Sequence, residues 1–203
     1  MKVGLIVECA PEGTDKKVYE YLARRLDSTI EVVRSITLIN KKTLIELCGE
    51  SVKALLEIDK CEKVIIAWDL EPSMSKHPPC RFNDCQSIKA SLDAAQLTAP
   101  QLECVHLICV EKELETLLLA DNQAIEKCLC KITGQSHNIK LPKNPEYLSN
   151  PKKRLNQIFK EHTGRMYEDR RHAEEIAKLA KLTKLRRCSS FARFAAKLQS
   201  KTL

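Results

Sequence analysis

Short β-branched apolar runs alternate with segments of helical period, and this alternation leaves few folds open to the chain. Lys2–Glu8 (KVGLIVE) and Cys61–Trp68 (CEKVIIAW) are the most strand-like segments, and each delivers a carboxylate at its end, Glu8 and Asp69. Pro11–Gly13 breaks the chain after the first run, and Thr14 is placed to cap a helix over Thr14–Asp27. There Val18, Leu22 and Leu26 recur every fourth position beside Tyr19 and Ala23. Thr29–Ser35 reads as a second strand. Asn40 is a candidate N-cap for Lys41–Ile58, which keeps a helical period despite Gly49. A helix over Gln86–Leu97, a strand over Glu103–Val110 and a helix from near Glu111 through Asp121 towards Leu129 complete four β-α pairs. Such an order implies right-handed crossovers and a mostly parallel sheet flanked by helices, an α/β fold. The loops after its strands gather along the edge where open α/β sheets bind ligands.

The 203 residues suit one full domain with an appendage. Residues 1–133 form the expected α/β domain. A polar stretch over 134–150, with Gly134, Pro142 and Pro145, reads as a loop or linker. Residues 151–203 then give three Lys- and Arg-rich helical segments, Pro151–His162, Arg170–Leu182 and Lys184–Leu198, expected as a basic helical appendage packed on the first domain. No apolar run approaches the roughly 20 residues that span a bilayer, and the N-terminus does not read as a signal peptide, so a cytoplasmic protein without a membrane partner is expected. Ten cysteines in such a chain read as reduced thiols, mostly core filler.

The net charge of +7 is unevenly spread: 17 Lys+Arg against 21 Asp+Glu over residues 1–139, then 17 against 6 over 140–203. A basic tail on an acidic body can concentrate a polyanion, although basic helices are also plain solvated faces. Aromatic residues make up only 4%, which argues against broad base-stacking platforms.

Three strand ends supply carboxylates to one edge: Glu8, then Asp69 and Glu71, then Glu111, Glu113 and Glu115. Clustered like charges are relieved by a divalent cation, and hard oxygen donors suit magnesium or manganese. For Glu111–Glu115 a helix dipole is an equally good explanation. A charge directly after a fully apolar strand needs a partner or a function, which favours a functional role for Glu8 and Asp69.

On these residues the chain resembles the Toprim fold: IVECAPEG at 6–13 and IIAWDLE at 65–71 look like its strand-ending Glu and its paired acidic motif. Within that group it is similar to small bacterial proteins of the domain-of-unknown-function family 4276, through LARRL, NKKTLIELCG, PPCRFND, ELETLLLAD and RRCSSFARF. The resemblance implies a magnesium-dependent nuclease acting on DNA or RNA. Glu8 and Asp69 would be catalytic, and the metal ligands would come from Glu8, Asp69, Glu71, Glu113, Glu115 and Asp121. The alternative is a non-catalytic subunit that binds nucleic acid or regulates a partner ATPase. Two positions depart from the Toprim pattern: Cys9 stands where glycine is usual, and Glu71 where aspartate is.

Arg81, Lys152, Lys153, Arg154, Arg186, Arg187 and Arg193 are the candidate nucleic-acid contacts, with Phe191 and Phe194 read as core anchors. Arg81 and Asp84 follow the proposed ligands and are candidates for the site itself. His77, Cys80 and Cys85 match no standard zinc spacing. His162 and His172 read as surface or capping residues. The chain has no Gly-rich phosphate loop, so an ATPase would have to be a partner, as the resemblance suggests for a phage-defence or mobile-element setting.

Overall fold

The computed structural model describes residues 1–70 and 80–200. They divide into two compact units, Met1–Val110 with the C-terminal segment from Phe194, and Glu111–Arg193.

The first unit is a four-stranded, all-parallel sheet of order β2-β1-β3-β4, built from β1 (Lys2–Glu8), β2 (Glu31–Leu38), β3 (Lys63–Asp69) and β4 (Val105–Val110). Between them run α1 (Thr14–Leu26), α2 (Lys41–Glu57), α3 (Arg81–Ala94) and the single-turn-length α4 (Ala99–Glu103). The chain steps from β1 outward to β2 and then back past β1 to β3 and β4. Right-handed crossovers therefore place α1 on one face and α2 and α3 on the other. Both faces of the central strands are covered, which is why β1 and β3 read as nearly continuous apolar runs.

On the α2/α3 face, Ile6, Val64, Ile66 and Trp68 pack against Leu44, Cys48, Val52 and Leu55 of α2 and Ile88 and Leu92 of α3. Gly49 lies where α3 crosses α2: a Cβ there would sit 2.2 Å from the Ser91 carbonyl oxygen. The glycine inside that helix is a contact point, and its amide donates to Ser91 Oγ at 3.2 Å.

Asn40 caps α2, its side chain accepting from the Thr43 amide at 2.9 Å. At α1 the N-cap is Gly13, not Thr14, which is the first, buried helical residue. The Gly13 amide closes a tight turn onto the Ala10 carbonyl at 2.7 Å. At the N-terminal end of the interior strand β3, Lys63, fully buried, donates from Nζ to the carbonyls of Lys197 at 2.8 Å and Leu198 at 3.2 Å, satisfying the last turn of the C-terminal helix.

The second unit is helical: α5 (Leu114–Leu118), α6 (Asn122–Thr133), α7 (Pro151–Thr163), α8 (Asp169–Leu179) and α9 (Leu182–Leu185), with the first turn of α10 (Ser189–Gln199). Its core gathers Leu118, Ile125, Leu129, Leu155, Ile158, Phe159 and Ile176. Asp121 and Asn150 cap α6 and α7, and both helices end on left-handed glycines, Gly134 and Gly164. No helix among the described residues is long and apolar enough to cross a membrane.

Candidate functional site

With order β2-β1-β3-β4, successive connections leave β1 and β3 in opposite directions, so the crevice beyond their C-terminal ends is the switch point of the sheet. Glu8 ends β1 and Asp69 ends β3, one on each side of that crevice. The register pairs Val7 with Ala67, which sets Glu8 level with Trp68 and the side-chain layer above Ile6 and Ile66. Glu8 Oε2 accepts the backbone amide of Asp69 at 3.2 Å, tying the two strand ends together.

Two helix starts complete the cluster. Lys41, the first residue of α2, is buried to 3% exposure, and its ammonium donates to the Leu70 carbonyl at 2.6 Å. It also pairs with Asp84 Oδ2 at 3.2 Å. The same Asp84 oxygen, in the first turn of α3, accepts Trp68 Nε1–H at 3.2 Å. Burial pushes the Glu8 pKa up and the Asp84 charge adds to this, while the Asp69 amide and Lys41 hold it back. Glu8 therefore keeps its proton to a higher pH than an ordinary glutamate. The Cys9 thiol is pushed up to about 11 by burial and by the charges of Asp15 and Asp69, which favours the protonated thiol at neutral pH.

Glu8, Asp69 and Asp84 of the sequence reading thus converge on one edge, and Arg81 stands exposed at the start of α3. Lys41 was not among the expected site residues. A lysine opening a helix after an Asn cap reads as solvated, and only its burial identifies it. Glu71 and His77 lie outside the described residues; Cys80 and Cys85 are half-buried. Among the described residues no three His, Cys, Asp or Glu side chains gather into a metal-holding group.

The remaining expected residues belong to the second unit. Glu113 Oε1 accepts the Lys152 amide at 2.6 Å, and Lys152 Nζ lies 3.7 Å from Glu115 and 3.5 Å from Asp169. Burial lowers the Lys152 pKa, but Glu115, Asp169 and Glu113 outweigh it and raise the net value. Asp121 is buried and accepts the amides of Gln123 at 3.1 Å and Lys181 at 2.9 Å, the geometry of a structural cap. Arg193 pairs with Glu111 at 2.8 Å, Arg187 reaches the Ala120 carbonyl at 3.4 Å, and Arg186 is exposed. Lys153 is exposed and Arg154 half-buried on α7. His172 accepts the Glu168 amide at the start of α8, a capping role, whereas His162 faces His137 with 3.1 Å between their Nδ1 atoms.

These features define an open parallel α/β protein with a carboxylate-bearing switch point and a basic helical unit. The chain belongs to the family DUF4276, a domain of unknown function, whose profile matches residues 12–199. That span contains Lys41, Asp69 and Asp84 and starts four residues beyond Glu8. No curated protein and no solved structure matches the chain.

Proposed function

We propose that the switch-point cluster is the active site of a divalent-metal-dependent nuclease of Toprim type, acting on phosphodiester bonds of DNA or RNA. The observation that carries this reading is the pair of strand-ending carboxylates at the switch point, one of them desolvated and bonded to the other's backbone. Glu8, with its raised pKa, is the proton acceptor for an attacking water. Asp69 and Glu8 offer hard oxygen donors of the kind magnesium or manganese takes, and Glu71 follows in the chain. When bound, the ion supplies charge neutralisation at the phosphate. Lys41 holds Asp84 and lowers the cost of keeping Glu8 ionised. A cytoplasmic setting with a partner ATPase, in phage defence or on a mobile element, belongs to the same proposal.

The second reading, a non-catalytic subunit that binds nucleic acid or regulates a partner ATPase, is favoured by one observation: the Lys41 ammonium already balances Asp84 inside the cluster. The two readings separate when labelled plasmid, single-stranded DNA and RNA are incubated with magnesium or manganese and either wild-type protein or Asp69→Ala. Cutting by the wild type that the variant loses supports the nuclease. No cutting of any substrate by the wild type supports the subunit.

A further inference from the structure

The second unit holds a cleft of about 520 Å³ along α7 that has no part in the chemistry described above. Asn150, Lys153, Asn156, Gln157 and Lys160 line it. Their spacing of three and four puts them on one face of the helix, a continuous row of ammonium and amide groups. The first turn of α7 carries Lys152, Lys153 and Arg154 and no acidic residue, so three cations stand against the helix dipole. Lys152 is already paired with Glu115 and Asp169, so the charge left for an anion from outside to offset is that of Lys153 and Arg154. The carboxylate at the cleft, Glu113, is already bonded to the Lys152 amide and offsets part of this charge. Met166, 52% exposed, supplies an apolar wall.

Lys153 and Lys160 stand seven residues apart, roughly 10 Å along the helix axis. A ligand that repeats its anionic groups along the helix can pair with both ammonium groups without either side chain folding back towards the other. Between the two ammonium groups lie Asn156 and Gln157, each with donors and acceptors for a hydrogen-bonding edge. A thioether beside them suits a flat apolar face. Repeating phosphates, polar edges and flat faces together describe a nucleic acid strand, and a concave seat suits unpaired nucleotides better than a duplex.

We propose that this cleft binds single-stranded nucleic acid, independently of what Glu8 and Asp69 do. The test is fluorescence anisotropy of a labelled single-stranded 12-nucleotide DNA or RNA in excess chelator, so that cleavage plays no part. Lys153→Glu/Lys160→Glu is compared with wild type and with Lys17→Glu/Lys89→Glu, a charge-matched control, all with folding checked by circular dichroism. Loss of two phosphate contacts should weaken binding at least about tenfold near 0.1 M salt and lower the slope of log affinity against log salt by about 1.4. Asn156→Ala should weaken binding less and leave the slope unchanged. The proposal is overturned if wild type does not bind the strand, if the control loses as much as the cleft variant, or if polyglutamate competes as well as unlabelled oligonucleotide.

Discussion

Replacing Lys41 by methionine tests whether the switch-point cluster is as desolvated as its geometry requires. The lysine side chain is 3% exposed and that of its partner Asp84 15%. Methionine keeps most of the aliphatic volume but removes the ammonium. It leaves the Leu70 carbonyl without that donor at 2.6 Å and deprives Asp84 of its ion pair, with Trp68 Nε1 still donating to it. Breaking a buried pair by removing one partner costs about 3–5 kcal/mol, and the slight exposure of Asp84 sets the expectation near 3. Urea unfolding followed by the fluorescence of Trp68, the only tryptophan, reads the loss beside its own reporter. Adding Asp84→Asn removes the stranded charge while keeping an acceptor for the indole. The double variant should therefore lose less than the sum of the singles, by about 1 kcal/mol or more. A loss under about 1 kcal/mol for Lys41→Met, or strict additivity in the double variant, would refute a buried, coupled pair.

Gly49→Ala drives a Cβ to 2.2 Å from a backbone oxygen of α3, which no side-chain rotation relieves. A destabilisation of about 1–3 kcal/mol is expected in urea unfolding, despite alanine's better helix propensity. His106, with Nε2 buried without a hydrogen-bond partner, has its pKa lowered to about 4 by burial and by the charges of Lys63 and Lys197. The folded state then binds fewer protons than the unfolded one between about pH 6.5 and 4, so stability falls as the pH drops through that window, by about 3 kcal/mol. In His106→Gln that part of the acid loss should disappear from denaturation midpoints measured at pH 7, 5.5 and 4.

The strand ends Glu8 and Asp69 were legible because a carboxylate closing an apolar run has few structural explanations, and Asn40 was legible because an N-cap is a local device. The boundaries that moved did so for non-local reasons. The second strand runs from Glu31 to Leu38 instead of Thr29 to Ser35, since β2 is an edge strand whose half-buried residues carry little pattern. The helix expected over Gln86–Leu97 begins at Arg81, because only Ile88 and Leu92 of α3 are buried and leave almost no periodicity. The helix expected from Glu111 to Leu129 is two helices, divided at Asp121, whose carboxylate also holds the distant Lys181 amide. Likewise the segment Lys184–Leu198 breaks before Ser189, where Glu146 accepts the Ser189 amide at 2.8 Å from 43 residues away. Lys41 was illegible altogether, since nothing local distinguishes a buried lysine from a solvated one.

Glu8→Gln tests both halves of the role proposed for Glu8, chemistry carried at a cost to the fold. Its raised pKa means that the ionised form is disfavoured in the folded state, so the penalty is fully present once the pH exceeds the folded value. Neutralising the side chain should leave the urea midpoint at pH 8 equal to or above that of wild type. Measured on the same samples with saturating magnesium or manganese, the rate of cleavage of labelled DNA and RNA should fall by about a hundredfold or more. A variant that cuts as fast as wild type would rule out that role for Glu8.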